Sequence, residues 1–303
     1  MWAAASRDTP GASSILLVPG VPWTNLEGPH GAVAKHIYSS AIIGAPETYY
    51  VYTPPDYDHK RKAPYPVLVT LHGLGDSAQD WLVQGGANLT LDSLIAAGKA
   101  KSMILVSPSG YGTTQGTRGA AAGFPNFTRA LLEEILPLVE KQYNASTKPS
   151  ERAITGLSMG AAQSLLLLNH LDQFQWIGSF SPGFDMYSSQ WGSGARNGAP
   201  KGGRGPQSVP GGGRGPATRQ RPPLAEGVLE SAFPHLDGRA NKQIKLLYIT
   251  CGAADDHLEL TRQFKAFLDA RKIESNYSEP ENAAHVWAFW RRQFAIFASQ
   301  LFQ

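Results

Sequence analysis

Five short runs rich in apolar and β-branched residues constrain the fold of this chain more than any other feature. They occupy residues 65–71, 103–107, 152–156, 177–181 and 244–250. A strand with apolar side chains on both sides has both faces buried, which occurs where helices cover the two faces of a parallel sheet. The runs therefore predict a mostly parallel central sheet.

Stretches in which apolar residues recur at helical spacing lie between and after these runs. The apolar positions repeat every three or four residues over 132–139, 260–268 and 290–301, as on the buried face of an amphipathic helix. Pro137 predicts a kink in the first stretch, because proline lacks the N–H of an interior helical bond. Alternating strands and helices predict an α/β domain with helices on both faces of the sheet.

The N-terminal part of the chain follows a different pattern. Residues 33–39 and 48–53 indicate two strands joined by a short turn near Gly44. This pattern predicts an antiparallel hairpin at the start of the otherwise parallel sheet. We expect residues 1–27 to form an N-terminal extension and residues 28–303 to form a single domain.

One segment interrupts this domain and has its own composition. Of the 32 residues in 192–223, 10 are Gly and 6 are Pro, which predicts a flexible insertion without helices or strands. The segment has six basic residues and no acid, so its charge of +6 leaves −3 for the rest of the chain. A solvated loop is the main interpretation, and a basic arm that contacts an anionic polymer or surface is the alternative. The mildly acidic body does not predict a nucleic-acid partner.

Several protein classes are excluded by composition. An apolar fraction of 42% excludes an intrinsically disordered chain, and a single cysteine, Cys251, excludes a disulfide-stapled fold. Apolar runs such as 15–18 and 165–168 are far shorter than the ~20 residues of a membrane helix, so no membrane partner is predicted. Residues 1–20 lack the pattern of a secretory signal. This fits either a cytoplasmic protein or a mature form whose signal was removed. A secreted or periplasmic mature form is our expectation, with a cytoplasmic protein as the alternative.

The strongest chemical motif is Gly156-Leu-Ser-Met-Gly160, which matches G-x-S-x-G. It follows the run 152–155 and precedes an apolar helical stretch, 161–171, which is the setting of a nucleophile elbow. Such a serine lies on a sharp, strained turn, and the flanking residues are small because the strand and helix backbones pass close together. The motif predicts that Ser158 is a catalytic nucleophile.

A serine hydroxyl needs a base, which in this arrangement follows the nucleophile and the acid along the chain. The histidines after Ser158 are His170, His235, His257 and His285. His285 is the predicted base because it lies in a loop of small residues just before the last helix. His257 is the rival, but it directly follows the candidate acids.

The acid is expected in the loop that follows the run 244–250. Asp255 and Asp256 are the candidates there, since either carboxylate could accept the imidazole N–H and fix its tautomer. Asp255 is preferred, with Asp256 as a solvated residue near a helix N-terminus. Cys251 is expected to be a small buried apolar residue.

Backbone amides are expected to stabilise the oxyanion. One is that of Met159, directly after the nucleophile. The other belongs to Gly73 or Leu74, in the glycine-rich loop after residues 65–71. His72 precedes the elbow along the chain, so it is expected to brace this loop rather than act as the base.

Three tryptophans lie near these loops in the sequence, namely Trp81, Trp191 and Trp287. They are candidates for the walls of a substrate pocket, although core packing is the more common role of a tryptophan. The histidines are scattered and none forms H-E-x-x-H, so no metal or organic cofactor is predicted.

Together these motifs resemble the esterase D and feruloyl esterase group, carbohydrate esterase family 1. The resemblance covers about residues 28–302 and is interrupted by 192–223. The residues that carry it are Tyr52-Thr-Pro-Pro-Asp-Tyr57, Leu71-His-Gly-Leu-Gly75 with Trp81, Gly156-Leu-Ser-Met-Gly160, Cys251-Gly-Ala-Ala-Asp255, and Ala284-His285 with Trp287.

The resemblance implies an α/β-hydrolase fold with Ser158 as nucleophile, Asp255 as orienting acid and His285 as base. It also implies that Leu74 and Met159 supply the oxyanion hole, and it favours Asp255 over Asp256. The implied function is that of a serine carboxylic-ester hydrolase acting on feruloyl or acetyl esters of plant cell-wall polysaccharide, with a small ester or a feruloylated or acetylated oligosaccharide as substrate.

Other functions remain open at this level. An esterase for a siderophore, aryl or polyester substrate, or an acyltransferase, would use the same triad. A binding protein with an inactive site is disfavoured by the presence of all three triad residues. The insertion after Trp191 departs from the family in a region where its members carry substrate-contacting loops.

Overall fold

The computed structural model describes residues 3–5, 14–16, 20–191 and 221–303. The first two segments are strands β1 (Ala3–Ala5) and β2 (Ser14–Leu16), which pair with each other as a separate antiparallel sheet. The predicted insertion at 192–223 lies outside the described residues except for 221–223.

An eight-stranded sheet forms the centre of the domain, in the order β10-β9-β8-β7-β5-β6-β4-β3. Its strands are β3 (Ala32–Ser40), β4 (Ala45–Thr53), β5 (Val67–Leu71), β6 (Ile104–Pro108), β7 (Arg152–Gly156), β8 (Trp176–Phe180), β9 (Leu246–Thr250) and β10 (Asn276–Ser278). The pairs β3–β4 and β4–β6 are antiparallel, and the other pairs are parallel. The predicted sheet with its N-terminal antiparallel hairpin is confirmed.

Helices lie along the chain between and after the strands. They are α1 (Asp80–Val83), α2 (Ala87–Ala96), α3 (Ala120–Ala130), α4 (Leu136–Gln142), α5 (Met159–Leu166), α6 (Asp185–Trp191), α7 (Val228–Ala232), α8 (Leu258–Ala270) and α9 (Trp287–Ala298). Short 3₁₀ turns occupy Pro22–Thr24, Gly116–Gly119, Pro149–Glu151, Leu167–Asn169 and Gly238–Lys242. Among the described helices, none has the length and apolar character needed to cross a membrane.

The sheet has a hydrophobic core on each face, as the apolar runs predict. Along β5, Val67 and Val69 belong to one core, and Leu68, which points the opposite way, belongs to the other. The first core includes residues of α3, α5 and α8, and the second includes residues of α2 and α9. The sheet therefore lies between two helical layers, which is the arrangement of the α/β-hydrolase fold.

Pro137 is accommodated by a local change in helical hydrogen bonding. A π-helical segment, Leu131–Ile135, joins α3 to α4, and Pro137 falls in the first turn of α4. A proline is tolerated in a first turn. The predicted helix is confirmed, and the irregularity lies in the turn before the proline.

Part of the proposed N-terminal extension contacts the body of the domain. The turn Pro22–Thr24 lies against α2, where Ser93 Oγ donates to the Pro22 carbonyl at 3.1 Å. The backbone of Trp23 passes so close to Gly86 that a Cβ there would lie 2.8 Å from the Trp23 carbonyl oxygen. The division into 1–27 and 28–303 stays a prediction.

Candidate active site

Ser158 occupies a sharp turn between a central strand and a buried helix. Strand β7 ends at Gly156, and α5 begins at Met159. The backbone of Ser158 has φ 52° and ψ −114°, a conformation that L-residues rarely adopt. Such a residue costs roughly 1–3 kcal/mol and persists only where its surroundings hold it. The strained elbow expected from G-x-S-x-G is therefore present.

The two motif glycines are needed because backbones meet at the elbow. A Cβ on Gly156 would lie 2.4 Å from the carbonyl carbon of Gly160, and a Cβ on Gly160 would lie 2.3 Å from the carbonyl oxygen of Leu71. Both distances are far below van der Waals contact, and rotation of a side chain cannot relieve a clash between backbone atoms. The glycines thus allow α5 to pack against β5 and β7.

Gly160→Ala is expected to lower the free energy of unfolding by about 3 kcal/mol or more, because overpacking here displaces backbone. Urea unfolding followed by far-UV circular dichroism measures the change. Gly238→Ala is the matched control, since its nearest neighbour would be the Arg271 carbonyl oxygen at 3.3 Å, and it should cost less than about 1 kcal/mol. Equal effects of the two substitutions would contradict the close-packing argument.

The glycine-rich loop after β5 passes directly beside the elbow. A Cβ on Gly73 would lie 3.6 Å from the Cβ of Ser158 and 2.7 Å from Leu157 Cδ1. The side chain of Leu74 is 51% exposed. This placement brings the predicted oxyanion loop next to the predicted nucleophile. The assignment of the Leu74 and Met159 amides as the oxyanion donors stays a prediction.

His72 supports this loop through hydrogen bonds at both ring nitrogens, as expected from its place in the sequence. Its Nδ1 donates to the carbonyl oxygen of Gly73 at 2.8 Å, and its Nε2 accepts from the amide of Gly110 at 3.0 Å. Burial lowers the pKa of His72 below its ordinary value, which favours this neutral form. Because C=O and N–H point in opposite directions across a planar peptide, fixing the Gly73 carbonyl also fixes the direction of the Leu74 N–H.

His285 and Asp255, which are 30 residues apart, meet at the carboxyl end of the sheet. His285 donates from Nδ1 to Asp255 Oδ2 at 3.0 Å. Trp290 of α9 meets the His285 ring edge-on, with centroids 4.8 Å apart, and its indole N–H donates to Ser181 Oγ. With its proton on Nδ1, the His285 imidazole leaves Nε2 free to act as a base.

Asp255 also accepts hydrogen bonds from His257, a pairing that sequence reasoning missed. The amide and Nδ1 of His257 lie 2.9 and 3.0 Å from Asp255 Oδ1. Burial alone would raise the pKa of Asp255, but the hydrogen bonds from His257 and His285 hold it well below its usual range. Asp255 is therefore held in its ionised form. The spacing Asp-x-His is the signal that could have indicated this contact, because it allows the aspartate side chain to fold back onto the histidine two residues later.

His257 is much less accessible than His285. Its side chain is 3% exposed against 28% for His285, and the two rings stack with centroids 4.4 Å apart. Its Nε2 lies 3.8 Å from Asp185 Oδ1. This environment supports His285 rather than His257 as the base. His170 ends the 3₁₀ turn after α5, and His235 is exposed.

Asp256 differs from the expectation that it is simply a solvated residue at a helix N-terminus. His257 Nδ1 lies 3.0 Å from Asp256 Oδ1, the same distance as from Asp255 Oδ1, so the two carboxylates share one N–H. Arg221 Nε donates to Asp256 Oδ2 at 3.3 Å, and the Asp256 side chain is only 25% exposed. The hydrogen bond from His257 lowers the pKa of Asp256, although burial opposes this change. Asp256 therefore belongs to a half-buried ionic network beside the candidate acid.

Asp255, Asp256, His257 and His285 place four potential ligand atoms within 4.8 Å of one another. Hydrogen bonds within this group already engage both Asp255 oxygens and both histidine Nδ1 atoms. These four side chains therefore form a hydrogen-bond network among themselves. The expectation that no metal takes part stays a prediction.

The three tryptophans differ in their positions. Trp81 is fully buried, its indole N–H donates to the Leu71 carbonyl, and its ring packs against Phe294. It is a core residue beneath the oxyanion loop, which corrects the expectation that it lines a pocket. Trp287 is half-buried at the start of α9 and remains a candidate. Trp191 ends α6, and its side chain lies outside the described part of the chain.

Cys251 is fully buried, as expected.

A family model named Esterase matches residues 40–298. An endo-1,4-beta-xylanase/feruloyl esterase of Xylanibacter ruminicola is 26% identical over 281 residues, which are 90% of this chain and 32% of the relative. The chain therefore spans about a third of the length of the curated relative that it matches.

Solved structures with the same fold include hydrolases of several activities. A CE1 ferulic acid esterase from Anaeromyces mucronatus in complex with ferulic acid has a TM-score of 0.69 and 23% identity, covering 92% of this chain and 93% of that one. An S-formylglutathione hydrolase from Staphylococcus aureus has a TM-score of 0.60 and 17% identity, covering 89% and 96%. At these identities the likeness establishes the α/β-hydrolase fold.

Proposed function

We propose that this chain, which belongs to the Esterase family, is a serine carboxylic-ester hydrolase that acts through an acyl-enzyme. Its proposed substrates are feruloyl or acetyl esters of plant cell-wall polysaccharide. The observation that carries the proposal is the strained elbow that presents Ser158 beside the glycine-rich loop 72–76, in a chain that also pairs His285 with Asp255.

The proposed reaction has two acyl-transfer steps. His285 Nε2 takes the proton of Ser158 as Oγ attacks the ester carbonyl, and the protonated ring then gives that proton to the leaving alcohol. Water attacks the acyl-enzyme by the same route and releases the acid. Asp255 stays ionised and stabilises the imidazolium that forms in each step.

The negative charge of each tetrahedral intermediate falls on the former carbonyl oxygen. We propose that the Leu74 and Met159 amides donate to it. The Met159 amide begins α5, where the orphan N–H groups and the helix dipole favour negative charge. His72 keeps the Leu74 amide in one orientation before substrate arrives, and such preorganisation is the main source of oxyanion stabilisation.

The substrate class is supported by the names of the relatives and by apolar side chains beside the candidate site residues in the chain. The Xylanibacter relative is a feruloyl esterase, and the Anaeromyces structure holds ferulic acid. The exposed Leu74 and the half-buried Trp287 offer apolar surface to a flat aromatic acyl group. A substrate carried on cell-wall polymer lies outside the cell, so we propose a secreted or periplasmic location.

The test is hydrolysis of methyl ferulate, p-nitrophenyl acetate, p-nitrophenyl butyrate and a feruloylated arabinoxylan oligosaccharide by the full chain. We expect turnover on the feruloyl esters with the highest kcat/KM, and its loss after labelling with a fluorophosphonate. The fluorophosphonate-inactivated protein is the control for background hydrolysis. Turnover of the p-nitrophenyl esters with none of either feruloyl ester would contradict the feruloyl assignment, because an unselective esterase also releases the good leaving group p-nitrophenolate. Labelling without turnover in water would favour an acyltransferase. Neither labelling nor turnover would contradict the proposed hydrolase.

A further inference from the structure

We propose that His257 is a positioning residue that holds Asp255 and His285 in their reactive arrangement. This inference rests on the proposed function, because it assigns His257 a part in the same reaction. Two features support it. Asp255 is shared by His257 and His285, and the imidazole rings of these two histidines stack face to face.

The first effect of His257 is on the carboxylate. Asp255 Oδ1 accepts from both the amide and Nδ1 of His257. Two donors from His257 on one oxygen restrict rotation of the carboxylate about its Cβ–Cγ bond. His285 Nδ1 then lies 3.0 Å from the second oxygen and 3.2 Å from the first. Without His257, the buried carboxylate would lose the contacts that select this orientation.

The second effect is on the base itself. The rings of His257 and His285 are inclined by 19°, with centroids 4.4 Å apart, and Trp290 meets His285 edge-on at 4.8 Å. These two rings restrict the swing of His285 about its side-chain torsions. A displacement of about 1 Å in a catalytic group can reduce the rate about a hundredfold.

The third effect is electrostatic. The charged and titratable groups that face His257 are Asp255 and Asp256 on its own loop, Asp185 on α6, Arg221, and His285 before α9. Burial and Arg221 lower the pKa of His257, but its hydrogen bonds to Asp255 and Asp256 outweigh them and raise it.

The hydrogen bonds from His257 also affect the electrostatics of the Asp255–His285 pair. They draw negative charge away from the Asp255 oxygen that faces His285, and a positive charge on the stacked His257 ring would act in the same direction. Removing His257 should therefore move the acidic limb of the pH–rate profile to higher pH.

Two substitutions separate these effects. His257→Phe keeps a stacked ring and removes the side-chain donor and charge, whereas His257→Asn keeps an N–H near the position of Nδ1 and removes the ring and charge. We expect each to lower kcat for the best ester by about tenfold to a hundredfold with KM nearly unchanged. The acidic limb should move to higher pH in both, and further in His257→Phe because it also loses the donor to Asp255.

The measurements are kcat and KM across pH and the rate at which a fluorophosphonate labels Ser158, which needs no turnover of ester. Labelling to completion also gives the fraction of active sites, so that loss of folded protein is corrected. His235→Phe is the matched control, because His235 is exposed. Its pH–rate profile should match that of the wild type.

Each outcome bears on one hypothesis. A wild type that labels but hydrolyses no ester defeats the proposed function, and the pH dependence of labelling then still tests His257. An unchanged acidic limb in both variants overturns the positioning role, even if yield or stability falls. Rates per active site that match the wild type overturn it as well.

Discussion

Ser158→Ala is expected to lower kcat for ester hydrolysis by about a millionfold while leaving the folded structure intact. Alanine retains the Cβ of serine, so the cost of the backbone at φ 52° is the same in both proteins. Only the Oγ atom is lost, and without it no acyl-enzyme can form. The residual rate would come from the loop amides and substrate binding alone.

The experiment compares kcat and fluorophosphonate labelling in Ser158→Ala and Ser164→Ala. Ser164 lies on the same helix, is fully buried, and donates from Oγ to the Gly160 carbonyl at 2.8 Å. Its substitution removes one buried hydrogen bond but no reacting group, so activity and labelling should stay near wild type. Ester turnover that survives in Ser158→Ala would show that another residue is the nucleophile.

The elbow could be predicted from sequence because its constraints are local. Gly156 and Gly160 are required by backbone contacts within one strand–turn–helix unit, and Ser158 lies between them. The central sheet was predictable for a related reason. Burial on both faces requires apolar residues at consecutive positions. Val67, Leu68 and Val69 fit this requirement, because their alternate side chains lie in opposite cores.

Strand boundaries were less accurate, because apolar residues continue into the loops. The sequence predicts a strand over 177–181, whereas β8 spans Trp176–Phe180. Ser181 then adopts φ 54°, and its Oγ accepts from the Trp290 indole. Ser181, which extends the predicted strand in the sequence, therefore lies outside the sheet and supports the site. No periodicity in the sequence indicates this role.

The roles of Trp81 and His257 depend on segments that are distant in sequence. Trp81 lies in the second core because β5 supplies the Leu71 carbonyl to its indole and α9 supplies Phe294. His257 stacks on a ring 28 residues later in the chain, as the numbering shows. A single sequence states which side chains are available for such contacts, but three-dimensional packing decides which of them meet.

Asp255→Asn is expected to lower kcat by about ten-thousandfold, the size of effect found when the acid of a serine triad becomes an amide. The amide and Nδ1 of His257 would still donate to the side-chain oxygen at position 255, so the new NH₂ group would face His285. His285 Nδ1 would then have to accept, which moves the ring proton to Nε2 and removes the base. The imidazolium of the transition state would also lose its buried counter-charge.

Asp256→Asn is the matched control, because it makes the same change on the adjacent residue. Asp256 contacts His257 and Arg221 at the edge of the site, so its effect should be about tenfold at most and should appear mainly in the position of the acidic limb. Circular dichroism and urea unfolding establish that both variants are folded, because labelling of Ser158 depends on the same base as hydrolysis. A larger loss in Asp256→Asn than in Asp255→Asn would reverse the assignment of the acid. Equal small losses of kcat would contradict a role for either carboxylate in orienting His285, since loss of the half-buried Asp255–His285 hydrogen bond at 3.0 Å would then have no catalytic consequence.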